Sequence, residues 1–164
     1  MMGVGSPGLG PYKVRNPDHF LFRKPNDLKL QEGDALADAP GRSFPQPIGH
    51  EADVRVSTLA KYLVEPIPEG ATLPTEDPAG ITLLAEGVAD GRKIAFAWDY
   101  FQRWLPPGKA PNINVAAEMI YWERSGGGRV FHAGSINAGS TLSLNEKWTG
   151  LMRNVLDHFG VKQA

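Results

Sequence analysis

Apolar residues cluster in two neighbouring strand-like stretches, Ala117 to Glu123 (AEMIYWE) and Arg129 to Ser135. A period of two puts Met119, Tyr121 and Glu123 on one face of the first stretch and Glu118, Ile120 and Trp122 on the other. Gly126, Gly127 and Gly128 stand between the two stretches. A phosphate-cradling loop needs its glycines after a strand and before a helix, where backbone N–H groups and the helix dipole act together. Here both flanks read as strands, so the glycines predict a hairpin reversal and imply no nucleotide.

The same reading gives the other elements. Ile81 to Gly87 (ITLLAEG) predicts a buried strand, and Lys93 to Tyr100 (KIAFAWDY) a second one, running into Phe101, Trp104 and Leu105 before Pro106-Pro107-Gly108. Gly49 to Val56 is a brief candidate strand. Helical spacing appears last: Trp148, Leu151, Met152, Val155, Leu156 and Phe159 share one stripe, Ser143 and Glu146 have capping-box spacing, and Gly160 is a stop signal. Most prolines lie before about residue 80, from Pro7 to Pro78, so elements there are expected to be short. The pattern predicts an α/β fold: a small sheet with a β-hairpin, a C-terminal helix and a loop-rich N-terminal half. One long amphipathic helix is too little to cover two sheet faces. Residues 1–164 are therefore expected to form a single, partial domain that normally packs against further polypeptide.

Composition narrows the partners. With 17 basic and 18 acidic residues mixed along 164 positions, no electrostatic footprint for nucleic acid or an anionic membrane exists. The chain has 14 prolines, 19 glycines and no cysteine, which predicts long connections and excludes disulfides, thiolate catalysis and cysteine-ligated metals. No stretch approaches the roughly 20 apolar residues of a membrane span, and the N-terminus lacks the basic and apolar regions of a signal peptide. A soluble cytoplasmic protein is expected. Apolar surface around Phe96, Trp98, Phe101 and Trp104 predicts a homo-oligomer or a complementing chain.

Candidate chemistry is sparse. Gly3-Val4-Gly5-Ser6-Pro7-Gly8 matches G-x-G-x-x-G, but no strand precedes it and Pro7 interrupts it, so it is discarded. His50-Glu51-Ala52-Asp53 lacks the second histidine of the zinc-protease motif. Glu51 remains a candidate base or ligand-orienting carboxylate, against the alternative of a solvated edge strand. In Asn16-Pro17-Asp18-His19, a turn-forming set, His19 is either a site residue or a histidine bonded to loop backbone. His19, His50, His132 and His158 show no metal-ligand spacing, and His158, in the last helical turn, reads as structural because an imidazolium would meet the helix dipole favourably. Ala133 to Ser140 (AGSINAGS) follows a strand and precedes the helix. Its Ser135 and Asn137 are either ligand-binding groups or caps on neighbouring backbone.

Several stretches, "SPGLGPYKVRNPDHFLF", "IGHEAD", "GITLLAEG" and "GGGRVFHAGSINAGSTLSLNE", together with "LMRNVLDHFGV", occur in the order seen near the C-terminus of the N,N-dimethylformamidase large subunit family. The chain resembles that family over about residues 3 to 161, with Asn137-Ala138-Gly139 standing where members often carry a tryptophan. The resemblance implies a domain like class I glutamine amidotransferases, related to flavodoxin-like sheets, and membership of iron-dependent amidohydrolases that act on small N-substituted formamides. It implies that the iron ligands lie on a preceding segment and that Glu51 approaches the site. His50, His19, Ser135 and Asn137 would contact a small amide substrate, while this chain supplies one wall of the active site and no metal ligand. On this basis the chain is an enzyme only when a missing segment completes it. The competing expectation is a non-catalytic structural or interaction module from a truncated or split homologue.

Overall fold

The computed structural model of the chain describes residues 11–38, 48, 53–60, 75–88 and 115–161. Five strands, β1 (Tyr12–Val14), β2 (Ala35–Leu36), β3 (Ile81–Val88), β4 (Val115–Glu123) and β5 (Arg129–His132), form one sheet in the order β2-β1-β3-β4-β5. Three α-helices accompany it among the described residues: α1 (Phe20–Arg23), α2 (Val56–Ala60) and α3 (Glu146–His158). The mixed α/β class is as expected. Every described strand pairing is antiparallel, however, so these strands do not display the parallel neighbours of a flavodoxin-like sheet.

The glycine-rich segment is the hairpin turn that its flanks predict. Glu123 pairs with Arg129, and Gly127, at φ +84°, supplies the left-handed residue while its N–H donates to Arg124 O at 2.8 Å. Ile81 to Gly87 forms a strand as expected, with a bulge between Leu83 and Ala85. There the Leu84 carbonyl turns to β1 and accepts from the N–H groups of Arg15 and Asn16.

Strand alternation sorts the sheet into two faces. Tyr12, Val14, Leu36, Ala85, Ala117, Met119 and Tyr121 occupy register positions on one face, and all are buried. They form one core with Leu21 and Phe22 of α1 and Trp148, Leu151 and Val155 of α3. Burial of this apolar stripe holds α3 down. It also pushes the Tyr12 hydroxyl well above the usual phenol range.

The start of α3 differs from the capping box expected at Ser143. Asn145 is the cap: its Oδ1 accepts from Trp148 N–H at 2.8 Å. Residues 142–144 are instead in a turn that continues the 3-10 helix Ile136–Thr141. The other end is as expected. Gly160 N–H donates to Asp157 O and Val161 N–H to Leu156 O, the paired bonds of a glycine-terminated helix.

The candidate strand at 49–56 is corrected where it is described. Residues 53–55 have no regular structure and α2 begins at Val56. Two contacts favour this outcome: Asp77 accepts from Ser57 N–H at 2.9 Å, satisfying a donor of the first helical turn, and Asp53 is held by the sheet. The candidate strand at 93–100 and the apolar set Phe96, Trp98, Phe101 and Trp104 lie outside the described residues. So do residues 49–52, with His50 and Glu51.

Candidate functional site

β4 and β5 part company beyond the pair Ile120↔His132, and a third segment enters the gap. Asp53 is wedged there: Glu118 N–H donates to its carbonyl at 2.9 Å, and its own N–H donates to Gly134 O at 2.8 Å. Gly134 makes the close approach possible. It sits at φ +77°, and a Cβ built on it would lie 2.4 Å from the Glu118 carbonyl oxygen.

The wedge brings two exposed polar side chains together. His132 Nδ1 accepts from Gly134 N–H at 2.9 Å, so the neutral ring carries its hydrogen on Nε2. That nitrogen faces Asp53 Oδ2 at 3.5 Å, with both side chains roughly half exposed.

Beneath this pair lies a buried polar network. Glu118, on the sheet face opposite the core, has a side chain only 1% exposed. Its carboxylate accepts from the Arg55 backbone N–H, from Arg55 Nη2 at 3.1 Å and from Thr58 Oγ1 at 2.7 Å. Arg55 Nη1 reaches Asp77 Oδ2 at 3.2 Å, and Asp77 also accepts from the Ser57 hydroxyl at 2.6 Å. A buried carboxylate is tolerated only when paired and hydrogen-bonded in this way. Removing one partner of such a pair costs about 3–5 kcal/mol. Alternation in the sequence already separates Glu118 from the core-facing Met119 and Tyr121. Its main partner, Arg55, stands 63 positions away and carries no local signal of the pairing.

Ser135 and Asn137 follow Gly134 directly. Ser135 is 8% exposed and caps the 3-10 helix, its hydroxyl accepting from Asn137 N–H at 3.4 Å. This is the backbone-capping role that the sequence left open beside ligand binding.

His19 is elsewhere. His132 shares a sheet face with Ile120, whereas the ring of His19 lies 5.3 Å from that of Tyr121, on the core face. Its Nδ1 accepts from Leu21 N–H at 3.4 Å and caps α1. Burial, reinforced by neighbouring His158 and opposed by Glu123, lowers its pKa to about 4. Tyr121 Oη is 2.8 Å from His158 Nε2 and donates to Glu123 Oε1 at 3.2 Å. His158 is displaced from the role its dipole position suggested: desolvation first, then Arg129, lowers its pKa and disfavours the imidazolium. The structure therefore divides the expected substrate contacts between two faces. Ser135 and Asn137 follow the strand parting; His19 belongs to an aromatic cluster between α1 and α3.

Among the described residues no group of three or more histidine, cysteine, aspartate or glutamate side chains is arranged to hold a metal ion. These residues do not fit an iron centre. Nor, among them, is any helix long and apolar enough to cross a membrane.

A sheet with its core on one face, and on the other an arginine–carboxylate network beneath a wedge of third-segment backbone, defines a mixed α/β protein with a polar network at a strand parting. A family model described as N,N-dimethylformamidase beta subunit-like, C-terminal, matches residues 1–154, and the chain belongs to that family. No curated protein and no solved structure matches it.

Proposed function

We propose that this chain forms one wall of the active site of an amidohydrolase acting on small N-substituted formamides. The wall lies at the parting of β4 and β5, where the segment following His50 and Glu51 is anchored. Family membership over residues 1–154 carries this reading. Glu51 acts as general base or substrate-orienting carboxylate, and His50, Ser135 and Asn137 contribute substrate contacts. His19, across the sheet, would serve the site only indirectly.

Iron, where the complete enzyme uses it, is held by another segment or a complementing chain, in a cytoplasmic multi-subunit assembly. Residues 1–164 act as one domain of that assembly. The second reading is a non-catalytic structural module. It is favoured by the hydroxyl of Ser135, which is engaged in capping its own backbone.

Activity decides between the two readings. The chain is purified with the polypeptide that completes it, and turnover of a small formamide is measured. Glu51→Gln is expected to lower kcat about 100-fold or more, the scale of a positioned acid or base. Asp53→Asn is expected to have a much smaller effect, because the Asp53 backbone makes the two wedge bonds. Equal activity of Glu51→Gln and the parent protein would leave the structural-module reading standing.

A further inference from the structure

We infer that Glu118 is a positioning residue of this site: it fastens residues 53–58 to the sheet and so sets Asp53 opposite His132. The inference rests on the proposed amidohydrolase site for its catalytic consequence and on the observed contacts for its mechanism.

Glu118 touches the segment at every level. Its backbone N–H holds the Asp53 carbonyl, and its carboxylate takes the Arg55 backbone N–H, the Arg55 guanidinium and the Thr58 hydroxyl. One strand residue thus binds three consecutive parts of the incoming chain: the wedge, the residue before α2 and the first turn of α2. The guanidinium passes the constraint on to Asp77, which also binds the backbone and hydroxyl of Ser57.

The expense of the arrangement is informative. A carboxylate 1% exposed is desolvated in full, whereas an apolar side chain there would pack without that penalty. An apolar residue could fill the volume but could not fix the register of an irregular segment, which has no ladder of its own. Directional bonds to Arg55 and Thr58 do so. The consequence falls on the backbone that follows Glu51, and the exposed pair above reports where that backbone sits. Asp53 meets His132 at 3.5 Å only while its backbone stays between Glu118 and Gly134. Displacement of about 1 Å at a site is enough to lower rate substantially.

The test combines amide hydrogen exchange on the whole chain with kinetics in its completed assembly. Glu118→Gln keeps the shape and removes the charge. It is expected to speed exchange of the Asp53 and Arg55 amides about tenfold or more, with the amides of Tyr121 to Glu123 and of α3 unchanged. In the assembly kcat should fall about tenfold or more while KM changes little. Arg55→Lys, which leaves the Glu118 side chain in place, should reproduce the local exchange response should Glu118→Gln fold poorly. Unchanged exchange at Asp53 and Arg55 overturns the inference, and so does a uniform acceleration across the sheet, which marks a purely structural role. Loss of activity in Glu51→Gln with full activity in Glu118→Gln overturns the positioning role and leaves the amidohydrolase reading intact. Full activity in Glu51→Gln overturns the catalytic assignment itself, while the exchange result still decides the anchoring.

Discussion

His19 meets three demands with one ring. Nδ1 caps α1, the ring lies 4.4 Å from Phe20 and 5.3 Å from Tyr121, and His158 stands near enough to repel a second positive charge. Protonation would remove the cap acceptor and charge a desolvated group. Glu123, on β4, favours the protonated ring and offsets part of this cost, while Arg129, from β5, disfavours protonation of His158. With a folded pKa of about 4 against an ordinary 6.5, the unfolded chain binds more protons in the interval between them. Stability therefore rises with pH through that window and is lost as pH falls from about 6.5 towards 4. Between pH 7.5 and pH 5 the loss due to His19 is expected to be about 1 kcal/mol, after discounting for its partial solvent exposure. Urea unfolding at the two pH values tests this against His19→Asn, which retains a capping side chain without a titrating ring. A difference in stability between the two pH values equal in both proteins would show that His19 contributes none of it.

Elements that carry their own periodicity were legible in the sequence, and those held by distant partners were not. The hairpin and α3 follow from alternation and helical spacing in Ala117 to Glu123 and Trp148 to Phe159. Ser143 and Glu146 satisfied a local capping pattern, yet Asn145 won because its Oδ1 reaches Trp148 N–H. Gly49 to Val56 could not be read correctly, since the conformation of residues 53–58 depends on Glu118, Asp77 and Gly134, each at least 20 positions away. The same holds for the α1 turn, tied to α3 by the fully buried Asn154. Asn154 Oδ1 accepts from the backbone and side chain of Asn26, and Nδ2 donates to the carbonyls of Leu21 and Asn26, all at 2.8–3.0 Å. Asn154→Ala strips partners from several buried groups at once, with an expected loss of about 3 kcal/mol. Thermal unfolding should show this as a fall in Tm of roughly 6–12 °C. The exposed neighbour Arg153→Ala should stay within about 0.5 kcal/mol of the parent. Similar Tm values for the two variants would refute the pinning role of Asn154.

At the scale of the whole molecule, site and core share one strand. β4 turns Met119 and Tyr121 into the core and Glu118 towards Arg55, so the rigidity that packing gives to one face is available to the polar network on the other. β3 and β4 are paired from Ile81↔Trp122 to Val88↔Val115, the longest ladder among the described strands. Among the described strands β2 stands at the edge with two residues, paired to β1. Opening free energy should follow this architecture, being greatest where ladder bonds and buried apolar contacts coincide. Amides in Thr82 to Gly87, Ala117 to Tyr121 and Leu151 to Val155 are expected to exchange slowest. Those of Ala35 and Leu36, and of the Gly126 to Gly128 turn, should exchange fastest, with β5 between. A wedge anchored to the slowest strand gains a fixed reference for Asp53, whereas one anchored to an edge would move with it. Residue-resolved exchange on the intact chain measures the order directly. Protection of Ala35 and Leu36 equal to that of Ala117 to Tyr121 would contradict it, and would show that the sheet opens as one unit rather than from its edge.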